Sequence, residues 1–334
     1  MPAATPSGGV RDWVLGARPR TLAAAAVPVM VGTCAGWWSA SPSARGPVPG
    51  TPGGPWWLLT GVVDGPGAVL WWRALAALVV ALAIQIGTNY ANDYSDGVRG
   101  TDTERVGPVR LVASGLAEPS SVRLGALVSF GIAGLAGLAL AAVTTWWLVP
   151  IGAACMAAGW LYTGGPRPYG YAGLGEPFVF AFFGVVATVG SWFVQYPHLG
   201  AGPGHGATAV LGHWLALWLS IPVGLLATAL LEANNLRDIA GDRRAGKLTL
   251  AVRLGRRSAG RLYTGLLVGA MLGVVLVALV RPWALLALLA VPLAVRPVRT
   301  VLSGAEGRDL LPVLGATGRI QIAVGLLLCL GILL

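Results

Sequence analysis

The sequence predicts an all-α protein, a polytopic bundle of nine transmembrane helices. Three observations carry that prediction. Hydrophobic residues make up 55% of the chain and charged residues 11%. Apolar runs of crossing length recur from one end to the other, and basic residues gather on alternate sides of them. A soluble domain typically carries about 25% charged residues, so the composition excludes that class. The net charge of +10 would point a soluble protein towards nucleic acid. Here the excess lies in loops beside apolar spans, where topology and anionic lipid or diphosphate binding account for it, and no nucleic-acid partner is expected.

Stretches of about 17 to 25 apolar residues are long enough to cross a bilayer. The first, 20–38, follows a cytoplasmic N-terminal segment, 1–19, that holds Arg11, Arg18 and Arg20. That flank imitates a secretory leader, but Asp12 and Trp13 interrupt it and further spans follow. An outer loop, 39–69, opens with "SASPSARGPVPGTPGGP", a Pro/Gly/Ser linker without chemistry. The second span, 70–92, contains "ALAALVVALAIQIG" and ends in "TNYANDYSDGVRGTD". Spans at 122–143, 146–163 and 175–195 follow, then 210–232, which runs into "LEANNLRDIAGDRRAGKLTLAVRLG". The seventh and eighth, 261–280 and 282–300, are separated only by "RPW", and 314–333 closes the set. Cys34, Cys155 and Cys329 sit inside apolar runs without metal-ligand spacing and read as packed thiols.

Orientation follows from Lys and Arg, which accumulate in cytoplasmic loops. With the N-terminus in the cytoplasm, nineteen of the 23 basic residues fall on the inner side. Only Arg45, Arg73 and Arg281 fall outside, and Arg319 lies within the last span. Tryptophans give a second check: Trp37, Trp38, Trp56, Trp57, Trp71, Trp72, Trp146, Trp147, Trp192, Trp214 and Trp283 all fall near outer ends, as an interfacial belt would.

Two acidic helix ends then meet on the cytoplasmic side. An Asp costs roughly 2.5 to 3.5 kcal/mol at the centre of a membrane helix, so clustered Asp beside apolar spans marks function. Asn89 and Asp93 are four apart on one helical face with Asp96 a turn further on; Asn234, Asp238 and Asp242 repeat the spacing. One such end in each half of the chain predicts two pseudo-repeat halves. The cytoplasmic segments 93–121 and 233–260 are expected to be the catalytic loops. Hard oxygen ligands without nearby His or Cys point to Mg²⁺, which binds through one or two carboxylates plus substrate phosphates. Arg99, Arg105 and Arg110 lie near the first cluster, and Arg237, Arg243, Arg244 and Lys247 near the second. Acidic and basic groups together suit a metal-bridged diphosphate, and the apolar helices suit its hydrocarbon tail.

These stretches resemble the two Asp-rich signatures of the UbiA superfamily of intramembrane aromatic prenyltransferases. "ARPRTL" (17–22), "GPVRLVASG" (107–115) and "YTGGPRPYGYAGLGEPFVFAFFG" (162–184) are similar to its branch whose acceptor is 1,4-dihydroxy-2-naphthoate. The wide spacing from Asp96 to Asp102 resembles that branch too. "GYAGLG" matches a loose dinucleotide fingerprint, but no βαβ unit surrounds it. The resemblance implies nine helices around a central cavity in one domain, 1–334, in the cytoplasmic membrane of a bacterium. It implies polyprenyl diphosphate and the naphthoate as substrates, membrane lipid as surroundings, and two Mg²⁺ ions as cofactor. Asn89, Asn92, Asp93 and Asp96 would hold one ion, with Asp102 as a further ligand, and Asp238 and Asp242 the other. Arg110, Arg237 and Lys247 would contact the diphosphate, Tyr162 the allylic cation, and Arg18 or Arg20 the acceptor carboxylate. Other acceptors, 4-hydroxybenzoate or a phosphoribosyl donor, remain open, as does a transporter gated by divalent cations.

Overall fold

The computed structural model describes residues 8–40, 69–101, 109–195 and 206–334, and every regular element among them is helical. Asp102, Arg105 and most of the expected outer loop 39–69 lie outside the described residues. The helices are α1 (Val10–Gly16), α2 (Ala23–Ala40), α3 (Trp71–Arg99), α4 (Pro119–Val143), α5 (Leu148–Leu161), α6 (Gly175–Gln195), α7 (Gly206–Arg244), α8 (Leu250–Leu254), α9 (Arg256–Ala278), α10 (Pro282–Leu302) and α11 (Leu311–Leu333).

Each apolar run carries a helix, and the chain is a multi-pass membrane protein. Among the described residues, seven helices have the length and composition to cross, or eight if the pair Val10–Thr21 and Ala23–Ser39, bent by 55°, forms one span. The predicted fourth span is the exception. At 14 residues, α5 rises about 21 Å, short of a hydrocarbon core of about 30 Å.

Two helices run further than their apolar runs. With 29 residues, α3 is about 44 Å long, so its acidic end overhangs the hydrocarbon. The α7 helix likewise continues to Arg244. The expected catalytic loops 93–121 and 233–260 therefore begin as helix. The polar side chains at these ends find partners there, so nothing forces the backbone to unwind.

Packing leaves a central cavity lined by residues of α2 to α7. The α3 helix lies on α4, α9 on α7, and α2 against both α6 and α11. Val31, Leu219, Leu226, Val274 and Leu328 lie in the largest buried cluster, while Leu127, Leu135, Leu272 and Leu326 are exposed outward, as lipid-facing residues are. In α6, the segment Phe180–Val186 winds as a π-helix, a local widening frequent at functional sites. There Gly184 passes Gly224 of α7 so closely that a Cβ on Gly184 would lie 2.6 Å from the Gly224 Cα.

Of the tryptophans expected in an interfacial belt, Trp71, Trp72, Trp146, Trp147, Trp214 and Trp283 are exposed. Trp192 departs from it: the residue is fully buried, and its indole N–H donates to Ser39 Oγ at 3.1 Å. An internal acceptor removes the need for an interface.

Candidate active site

The α3 helix presents Gln85, Asn89, Asn92, Asp93 and Asp96 along one buried stripe. Gln85 Nε2 donates to Asn89 Oδ1 at 3.3 Å, and Asn89 Nδ2 donates to the Ala17 carbonyl at 2.8 Å. These bonds tie the stripe to the turn before α2. In that turn Arg18 takes a left-handed φ of 55°, the only positive φ outside glycine among the described residues. Non-glycine residues held in sparsely populated backbone regions cluster at functional sites, and Arg18 lines the central cavity.

Asp93 and Asp96 part company. Asp93 is fully buried, and its two oxygens accept from the backbone N–H groups of Leu111 at 2.8 Å and Val112 at 3.2 Å. It therefore anchors the turn that carries Arg110. Asp96 lines the cavity. Its Oδ1 accepts from the Tyr171 hydroxyl at 2.8 Å, and its Oδ2 lies 3.8 Å from Arg110 Nη2 and 3.6 Å from Lys247 Nζ.

Lys247 joins the two halves. Gly246, at a φ of 69°, reverses the chain after α7; a left-handed turn of this kind favours glycine. The Lys247 N–H then bonds back to the Asp242 carbonyl at 2.8 Å while its ammonium reaches Asp96. The same ammonium lies over the Tyr171 ring, 5.1 Å from its centroid, and the Arg99 guanidinium lies 5.5 Å from it. Burial, then the Asp96 charge, pushes the Tyr171 hydroxyl up to about 12. It stays a neutral donor across the physiological range.

Opposite α3, Asn234 and Asn235 of α7 line the cavity. Asn235 Nδ2 donates to Glu176 Oε1 at 2.8 Å. Asp238, Asp242 and Arg237 are buried beside the cavity but do not line it. Both Asp238 oxygens accept from Arg237, each at 2.7 Å, and Arg237 Nη1 is buried without an acceptor. Tyr162, at the end of α5, feels the charges of Glu176, Asp242 and Asp96, and so stands between the two acidic ends.

Below this polar mouth the walls turn apolar. Tyr162 meets Tyr169 edge-on with centroids 5.4 Å apart, Tyr169 stacks on Phe178 at 4.0 Å, and Phe178 leads to Phe182. All four line a cavity of about 1150 Å³, together with Ala133, Leu138 and Val186. Aromatic faces stabilise cations, and such a cavity suits a hydrocarbon with a polar head.

The expected site residues thus divide. Arg18, Asn89, Asn92, Asp96, Arg110, Tyr162 and Lys247 line one cavity. Arg20 does not: it lines a separate recess with Arg319. Nor do four or five carboxylates converge. Among the described residues no three of His, Cys, Asp and Glu gather as a metal site, because Asp93 turns to backbone and Asp238 to Arg237. What remains is one cavity-facing carboxylate with two Asn side chains, a hard-oxygen donor set. That fits an ion whose coordination is completed by phosphate oxygens and water. Tyr171, Tyr169 and Asn235 were not singled out from the sequence. The "YTGGPRPYGYAGLGEP" stretch signals the two tyrosines, and "LEANNLRD" signals Asn235, without showing which side chain of each stretch reaches the site.

Comparison with known proteins bears on the family and the fold. The profile of the UbiA prenyltransferase family matches residues 55–303. A 1,4-dihydroxy-2-naphthoate octaprenyltransferase of Mycobacterium tuberculosis is 46% identical over 92% of this chain and 91% of its own. The Escherichia coli protein of the same name is 35% identical over 96% and 95%. Among solved structures, a UbiA homolog from Archaeoglobus fulgidus bound to DMAPP and Mg²⁺ superposes with a TM-score of 0.55 at 14% identity, covering 95% of this chain and 99% of that one.

Proposed function

The chain belongs to the UbiA prenyltransferase family, and from that premise we propose how its cavity works. The protein is an enzyme that transfers a polyprenyl group from polyprenyl diphosphate to 1,4-dihydroxy-2-naphthoate, in menaquinone biosynthesis. In the proposed reaction the diphosphate seats at the polar mouth, against Arg110 and Lys247, with Arg237 behind them. Asp96 with Asn89 and Asn92, and on the facing helix Asp238 and Asp242, would hold Mg²⁺, two ions in this reading, which would supply positive charge to the leaving diphosphate. Asp102 is proposed as a further ligand from its sequence position alone. Asp93 serves this site by fixing the Leu111–Val112 backbone and with it Arg110.

The carbon–oxygen bond to diphosphate breaks and leaves an allylic cation. Tyr162 and Tyr169 offer it their ring faces, and the apolar walls keep water away from it. Arg18 holds the acceptor carboxylate. A ring carbon of the acceptor attacks the cation, and loss of the carboxylate as CO₂ restores aromaticity, giving demethylmenaquinol. The chain forms one domain and crosses the cytoplasmic membrane of a bacterium nine times as two related halves, with its N-terminus and this mouth on the cytoplasmic side.

The observation that carries the proposal is Asp96, bonded to Tyr171 and flanked by Arg110 and Lys247, at the head of an aromatic-lined cavity. The test supplies membranes containing the protein with Mg²⁺, a long-chain prenyl diphosphate and carboxyl-labelled 1,4-dihydroxy-2-naphthoate, beside 4-hydroxybenzoate. Labelled CO₂ with a prenylated naphthoquinol is the expected result. Prenylation of 4-hydroxybenzoate alone would overturn the acceptor, and absence of diphosphate release from folded protein would overturn the chemistry.

A further inference from the structure

A second recess, of about 640 Å³, lies between the turn before α2 and the start of α11. Its lining includes Pro19, Arg20, Pro312, Gly315, Gly318 and Arg319. It shares no residue with the central cavity.

Arg319 is the anomaly there. It is the ninth residue of α11, about 12 Å into an otherwise apolar helix, and its side chain is exposed. Arginine inside a membrane span is costly and rarely faces lipid. The structure shows how this one is accommodated. Helical side chains tilt towards the N-terminus of their helix, and the Arg319 Nη1 lies 3.6 Å from where a Gly315 Cβ would stand. The guanidinium thus folds back over the missing side chain of Gly315, one turn nearer the helix start. Gly318 faces the Arg20 carbonyl, 3.5 Å from its own Cβ position. Gly315 and Gly318 both line the recess, and so do the two basic residues Arg20 and Arg319.

No carboxylate lines this recess. Neither the Arg20 nor the Arg319 side chain has a hydrogen bond or ion pair with any described residue. Two cations without a counter-charge, rimmed by Leu311, Pro312 and Ile322, are complementary to an anion with an apolar body. Basic pockets between membrane helices bind lipid head groups on this principle.

We propose that the recess is a binding site for an anionic phospholipid, whose phosphate bridges Arg20 and Arg319 while its glycerol and upper acyl chain lie along Leu311 and Ile322. A free phosphate ion satisfies the two arginines but leaves the apolar rim without purpose. The site needs neither the prenyl-transfer chemistry nor a particular orientation in the membrane.

The test is native mass spectrometry of the purified, delipidated protein titrated with phosphatidylglycerol or phosphatidylcholine. The wild type is expected to retain phosphatidylglycerol preferentially. Arg319→Gln should weaken that retention about fivefold, the equivalent of ~1 kcal/mol for one basic side chain near an anionic surface, and Arg20→Gln should do the same. Arg319→Lys should keep most of it and serves as the folded control. Equal retention of both lipids by the wild type would overturn the proposal. So would unchanged phosphatidylglycerol binding in Arg319→Gln, or displacement of the lipid by millimolar inorganic phosphate. Because the readout is lipid binding, a failure of the prenyl-transfer assay leaves this result intact.

Discussion

Replacing Tyr171 with Phe removes one oxygen and leaves the ring in place. In the folded protein that oxygen donates to Asp96 Oδ1 at 2.8 Å, and Asp96 is 1% exposed, so water is a poor substitute donor. A hydrogen bond to a charged group contributes about 1.5 to 3 kcal/mol, which corresponds to roughly a 10- to 150-fold change in rate. The ring that carries Lys247 and Arg99 on its face remains. The loss should therefore appear in kcat/KM for prenyl diphosphate, at 10-fold or more, with the folded yield unchanged. Tyr171→Ala also deletes the cation–ring contact, about 0.5 to 1 kcal/mol at a partly exposed site, and should be roughly two- to fivefold worse again. The assay is the initial rate of diphosphate release at varied prenyl diphosphate with saturating acceptor. A Phe variant within twofold of wild type would show that Tyr171 does not set the state of Asp96.

Further outcomes follow from the same geometry. Asp96→Asn should remove most activity while leaving the thermal midpoint close to wild type; Asp93→Asn, which weakens the acceptor for two backbone N–H groups, should lower the midpoint as well, and thermal unfolding in detergent separates them. Tyr171 also predicts a pH effect. Its hydroxyl is raised from 10 to about 12 in the folded state, so the folded protein holds that proton longer than the unfolded chain. Its contribution is constant below pH 10 and is lost as pH rises through about 12, and the fall in midpoint over that interval should be smaller in Tyr171→Phe. Chelation of divalent cations should abolish turnover, with Mg²⁺ restoring it; full activity in chelator would remove the metal from the account. Gly184→Leu should destabilise the crossing of α6 and α7, because its Cβ alone would meet the Gly224 Cα at 2.6 Å; unchanged thermal stability would contradict that packing.

Much of this was legible in the sequence. Apolar length located the seven membrane-length helices among the described residues, since the bilayer imposes one length scale on the chain, but it gave no sign of the short α1 and α8. The stripe Asn89, Asn92, Asp93, Asp96 was legible as a helical face for the same reason. Spacing alone does not say which member of a buried face turns to the cavity and which to backbone. Asp93 and Asp96 differ only because Leu111 and Val112, eighteen and nineteen positions after Asp93, bring N–H groups to one of them. Arg18 and Arg20 stand two apart yet line different recesses, because a left-handed residue between α1 and α2 splits their directions. Tyr171 bonds to Asp96 across 75 positions of sequence, and Lys247 reaches both of them from beyond the end of α7. Such long-range closures leave no periodic mark.

The central claim is that the two acidic helix ends form one diphosphate site, joined by the 3.6 Å approach of Lys247 to Asp96. A double-mutant cycle of Asp96→Asn and Lys247→Met, read as kcat/KM for prenyl diphosphate, tests it most directly. Groups in one ionic network couple by about 0.5 to 3 kcal/mol. The double variant should therefore lose clearly less than the product of the two single losses. Losses that multiply within error would mean that the two ends act separately.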